Sequence, residues 1–119
     1  MEQLIEIIDE ITKYGLLAKI EIEDKEKDLE KHLVKLYAAY FEVDYVFDEK
    51  EYEDFEIKEL YPNLIVNVKT NFADFGWYHS ILNIEEIFKE PEIGTGDATD
   101  DLSDIIYDLL EVKWRMENN

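Results

Sequence analysis

Six acids recur at short intervals near the end of the chain: Asp97, Asp100, Asp101, Asp104, Asp108 and Glu111. At 3.6 residues per turn they fall within roughly 100° of arc along about four turns, so one helix face carries all six carboxylates. Such a face suits two kinds of chemistry. It can hold a hard cation, and Asp100-Asp101-Leu102-Ser103-Asp104 fits the D-D-x-x-D pattern that sets Mg²⁺ against a diphosphate. It can also draw in a basic protein by long-range attraction. Cation chemistry needs oxygen ligands from a second element, for which Glu6 with Asp9 or Glu51 with Asp54 are the available pairs. It also needs basic residues for the phosphate, and only Lys69, Lys89, Lys113 and Arg115 follow Leu60. The bland alternative is a solvated face in a very acidic chain.

Other chemistry is poorly supplied. There is no Cys, which removes disulfides, thiolate metal sites and cysteine nucleophiles. The serines are Ser80 and Ser103, and the histidines are His32 and His79, on separate segments, too few and too scattered for a histidine metal site. His32 is expected on the flank of a helix and His79 in a loop beside an aromatic cluster. Gly94-Thr95-Gly96 reads as a turn leading into a helix whose first-turn acids, Asp97, Asp100 and Asp101, would repel a phosphate.

A second acidic concentration points the same way as the first. Between Phe41 and Tyr61, aromatic residues such as Tyr45, Phe47, Tyr52 and Phe55 alternate with nine acids from Glu42 to Glu59. Rings among carboxylates suit a surface for a basic partner, because charge steers encounter and aromatic side chains supply the anchors. Asp plus Glu number 31 against 12 Lys plus Arg, a net charge of −19, which sets a repulsive field against nucleic-acid phosphates and anionic lipid. The N-terminal Met1-Glu2-Gln3-Leu4-Ile5-Glu6 resembles no signal or transit peptide, and no apolar run approaches the roughly 20 residues of a membrane span, so a cytoplasmic protein is expected.

The elements that must position these residues are read from apolar spacing. With 119 residues, 46% of them hydrophobic, the chain makes one domain, residues 1–119. Leu4, Ile7, Ile8, Ile11 and Tyr14 predict a first helix with Gly15 at its fraying end. Asp24 is the expected N-cap of a second, carrying Leu29, Leu33, Leu36, Tyr37 and Tyr40 inward. Residues 49–60 suit a helix ended by Pro62, and Leu64 to Val68 are read as helix although β-branched. A loop is expected around Phe72 to Tyr78, its Phe72, Phe75, Trp77 and Tyr78 sealing the core, then a short helix from Asn83 through Phe88. The final helix is expected from about Asp97 to Glu117, with Leu102, Ile105, Ile106, Leu109 and Val112 inward.

The stretch from Gly96-Asp97-Ala98-Thr99-Asp100-Asp101-Leu102-Ser103-Asp104-Ile105-Ile106 through Glu111, Trp114 and Glu117-Asn118 resembles the D-D-L-x-D-I-x-x-D-L helix of the bacterial domain-of-unknown-function family 5063. Phe75-Gly76-Trp77-Tyr78 is similar to that family's aromatic turn. The resemblance implies a helical fold and no established activity. It also implies a further segment beyond the helix, so that this chain is either a shorter version or leaves a surface near Trp114 and Met116 uncovered.

These readings converge on an all-α, mainly helical single-domain bundle with a long acidic C-terminal helix. The expected function is non-catalytic: an immunity protein or antitoxin that binds and neutralises a basic protein toxin, for example a nuclease. Its partner-binding residues are Asp97, Asp101, Asp104, Asp108 and Glu111 on the last helix, with Asp44, Tyr45, Asp48, Glu51 and Tyr52 upstream. No catalytic residue, metal ligand or cofactor is assigned. The alternative is a small Mg²⁺-dependent nucleotide or diphosphate hydrolase using the last-helix carboxylates.

Overall fold

Helix α1 (Glu2–Leu16) forms where apolar residues recur every three or four positions, and it turns Ile8, Ile11 and Tyr14 completely inward. The computed structural model describes residues 2–41, 57–75, 77–81 and 93–118. Helix α2 (Lys25–Tyr40) starts as expected at Asp24, whose Oδ1 accepts from the Lys27 amide at 3.1 Å. A single turn, α3 (Ile57–Leu60), precedes Pro62, and α4 (Leu64–Asn71) follows it. Local β-branching at Ile65, Val66 and Val68 is overridden because α4 buries Leu64, Val68 and Asn71 against α1 and α5. The last helix, α5 (Ala98–Glu117), is the longest.

Among these elements α1 is central, packing against α2, α4 and α5, while α5 also packs against α3 and α4. Ile11, Tyr14, Leu64, Val68 and Ile106 form the fully buried middle of the core. The Tyr14 and Phe72 rings lie 4.7 Å apart, and Phe75 stacks on Phe72 at 4.6 Å, so these two aromatic residues seal the core as expected.

Several expectations need correction. Gly15 is no fraying end: it is buried inside the last turn of α1, where a Cβ would come within 2.7 Å of Leu64 Cγ and 3.1 Å of Ile106 Cγ2. Glycine is there so that α4 and α5 can approach. On α5 the buried side carries Leu102, Ser103, Ile106, Tyr107 and Leu110, whereas Ile105 and Val112 are exposed. The helix is rotated from the purely apolar stripe because Thr99 and Ser103 are buried, with Ser103 Oγ donating to the Thr99 carbonyl at 2.7 Å. Tyr37 on α2 is also exposed rather than inward.

The bundle is mainly α, but it carries one two-stranded ribbon that helical periodicity does not disclose. Strand β1 (Trp77–Ile81) pairs antiparallel with β2 (Ile93–Asp97), with His79 opposite Thr95. Gly94-Thr95-Gly96 is therefore strand, not turn, and Trp77 and Tyr78 are strand, not loop. The ladder needs a partner some 16 positions away, so no local pattern announces it. The expected helix from Asn83 to Phe88 lies outside the described residues.

Candidate functional site

Asp97 joins β2 to α5, and its Oδ1 accepts from the Thr99 amide at 2.9 Å, so this carboxylate caps the helix rather than standing free for a ligand. Asp100 and Asp101 follow in the first turn, where the helix dipole favours negative charge. Asp104 and Asp108 lie further along, gain nothing from the dipole and are exposed. Glu111 pairs with Arg115 four residues on, Oε1 to Nη2 at 2.9 Å. Among the described residues no cation pairs with Asp100, Asp104 or Asp108. The side of α5 away from the core is thus a carboxylate row, with Arg115 pairing to Glu111 at its far end. Asp44, Tyr45, Asp48, Glu51 and Tyr52 lie outside the described residues.

The α5 carboxylates are not gathered with those of α1. Lys113 stands between the helices instead, its Nζ 2.6 Å from Asp9 Oδ1, and the Asp9 contact, outweighing partial burial, raises the lysine above its ordinary pKa. Asp9 is therefore used to hold α5 on α1. Glu51 and Asp54, the other pair considered for a cation, lie outside the described residues.

A different polar cluster, which the sequence did not single out, lies between α1 and α2. Glu10, Asp28 and His32 place one potential ligand atom each within 4.8 Å of one another. Lys13 already puts its ammonium into this group, 2.5 Å from Glu10 Oε2 and 3.0 Å from Asp28 Oδ2. The Tyr14 hydroxyl donates to the same Asp28 oxygen at 2.5 Å. His32 is buried rather than flanking, and its Nδ1 must carry the proton, since it lies 2.8 Å from the Asp28 carbonyl, which can only accept. Nε2 then faces Glu10 Oε2 across 3.9 Å.

The Lys13 ammonium is shared by the two carboxylates of this cluster. Burial pushes the Asp28 carboxyl up, but the Tyr14 hydroxyl and the Lys13 ammonium outweigh it and hold the group below the usual carboxylate range. Burial likewise lowers Lys13, and Glu10 and Asp28 more than reverse that. Burial first, then the hydrogen bond to Asp28, pushes the Tyr14 phenol well above its ordinary value. A lysine seated between the two carboxylates supplies the positive charge that a metal ion would bring, so the cluster acts as an ionic clamp between helices.

The sequence reading also missed an apolar surface. Val34, Tyr37 and Phe41 are exposed along one stripe of α2, with the Tyr37 and Phe41 rings edge to face at 5.5 Å. Beside them Leu29, Leu33 and Phe75 floor an open cleft of about 530 Å³. The signal was present in the spacing, but Tyr37 fits the inward helical pattern equally well.

No described helix is long and apolar enough to cross a membrane. No family model, curated protein or solved structure matches this chain.

Proposed function

We propose that this protein is a non-catalytic acidic binder of a basic protein, most concretely a bacterial cytoplasmic immunity protein or antitoxin that neutralises a cationic toxin domain such as a nuclease. The observation that carries the reading is the outward row of α5, where Asp100, Asp104 and Asp108 are exposed with no cation paired to them among the described residues. Like charges at helical spacing each cost a few tenths of a kcal/mol, and mid-helix nothing local offsets that. A basic partner does. The chain's net charge of −19 adds long-range attraction to the same encounter. The resemblance of residues 96–118 to family 5063 adds a helical fold and no activity.

The test is the association rate of the basic partner captured from the host at low salt. Between about 0.05 and about 0.5 M salt the rate falls at least roughly tenfold, because the Debye length shrinks well below the reach of the field. Asp104→Lys with Asp108→Lys slows association further at low salt and changes dissociation much less. Recovery of no cationic partner, or an unchanged rate in the reversed variant, refutes the reading.

A further inference from the structure

Lys13 and Tyr14 leave part of the clamp between α1 and α2 unmatched. Both approach the same Asp28 oxygen, Oδ2, and among the described residues no hydrogen-bond donor reaches Oδ1. His32 gives its Nδ1 proton to the Asp28 carbonyl, which fixes the tautomer and leaves an acceptor lone pair at Nε2. That nitrogen makes no hydrogen bond among the described residues, although the His32 side chain is only 10% exposed, and it faces Glu10 Oε2 across 3.9 Å. Two acceptors facing each other at a partly buried site call for a donor or a cation between them. The charges agree: with His32 neutral, two carboxylates share a single ammonium, so the group remains net negative.

We propose that Glu10, Asp28 and His32 form a Zn²⁺ site, the ion held by Nε2 of His32 and an oxygen of each carboxylate, with Lys13 the resident cation that it displaces. Asp28 and His32 stand four residues apart on one face of α2, and Glu10 comes from α1, so the ligands converge from two elements. One potential ligand atom of each already lies within 4.8 Å of the others. Tetrahedral Zn²⁺ at about 2.0 Å from its ligands sets them about 3.3 Å apart, and the Glu10 side chain, 47% exposed, is free to close that difference. The supporting contacts are in place. The Nδ1 hydrogen bond orients the imidazole and the Tyr14 hydroxyl orients the Asp28 carboxylate, as outer partners of a metal site do. A buried imidazole among carboxylates favours Zn²⁺ over Mg²⁺ or Ca²⁺, which take six or more oxygens. Lys13, on a flexible four-carbon stem at the partly exposed edge, can swing out to water when the ion enters. The acidic row of α5 takes no part, so this proposal stands apart from the reading of that row.

The test is calorimetric titration of ZnCl₂ into the full chain with about 5 mM Mg²⁺ present to fill loose carboxylate sites. One equivalent is expected to bind with a dissociation constant on the order of 1–10 μM. At about 100 μM Zn²⁺ the melting temperature rises by several degrees, because the ion binds only where α1 and α2 are packed together. His32→Gln weakens binding at least roughly tenfold, with circular dichroism checking the fold. Lys13→Met removes the competing ammonium and tightens binding roughly tenfold, a gain that loss of structure cannot produce. Asp104→Asn with Asp108→Asn, which thins the α5 row, leaves the affinity unchanged, and so does His79→Gln. Absence of saturable binding in the presence of Mg²⁺ overturns the proposal. So does an affinity that Lys13→Met fails to raise, or one that falls with the α5 or His79 variants and not with His32→Gln.

Discussion

Replacing Asn71 should cost more stability than replacing any exposed charge of this chain. Its side chain reaches from α4 to the end of α1 and the loop beyond, where three backbone groups need partners. Nδ2 donates to the Tyr14 carbonyl at 3.0 Å and the Leu17 carbonyl at 2.9 Å, and Oδ1 accepts from the Ile20 amide at 2.9 Å. One turn earlier, Asn67 Nδ2 donates to the Gly15 carbonyl at 2.8 Å. The carbonyls at the C-terminus of α1 have no partners within their own helix, and α4 supplies them. Asn71 is 6% exposed, so water cannot readily replace what its removal takes away. At about 1 kcal/mol for each of the three bonds, Asn71→Ala loses roughly 3 kcal/mol. With an m-value of about 1.5 kcal/mol/M, that moves the urea midpoint down by about 2 M. Asn71→Asp keeps the acceptor for Ile20 and aims a carboxylate at two carbonyl oxygens. Burial and those oxygens both favour the neutral form, so the introduced carboxyl has a raised pKa in the folded state. Its contribution is fully present below the unfolded value of about 3.9 and is lost as pH rises through the folded value. The deficit of Asn71→Asp relative to the unmodified chain is therefore smallest near pH 4 and grows towards neutrality. Urea titrations at a series of pH values measure it. An Asn71→Ala cost below about 0.5 kcal/mol, or an Asn71→Asp deficit that shrinks as pH rises, refutes the capping argument.

Two further outcomes follow from other contacts. Gly15→Ala gains up to about 1 kcal/mol of helix propensity but forces a methyl to within 2.7 Å of Leu64 Cγ, the branch point of a fully buried side chain. Overpacking of this kind costs about 1–3 kcal/mol, so the melting temperature falls by several degrees, and an unchanged or higher value in calorimetry contradicts it. Asp28 has a depressed pKa, so its stabilisation is present above the unfolded value near 4 and is lost as pH falls through its folded value. Asp28→Asn is expected to be less stable at neutral pH and to lose less on acidification, and identical acid slopes for the two proteins contradict the clamp.

The helices were legible because the signal for each lies within its own segment. Leu4 through Tyr14 repeat at the helical period, Asp24 stands three residues before the amide it caps, and the six acids of residues 97–111 share one face by arithmetic alone. Composition likewise set the sign of the protein's field without reference to any fold. What the sequence left open depends on which faces meet. Tyr14 and Tyr37 both sit in apolar helical patterns, yet one is fully buried and the other 70% exposed, because α1 packs against three helices whereas, among the described elements, α2 packs chiefly against α1. Lys13 and Asp28 become a clamp only when α1 and α2 pack face to face, and Asn71 becomes a cap for α1 only when α4, far along the chain, is brought to it. The ribbon of β1 and β2 had no periodic signature, since a strand's hydrogen bonds belong to its partner rather than to itself. Local order followed from spacing along the chain, and tertiary packing decided which polar groups are matched and which apolar and acidic faces remain open to a partner.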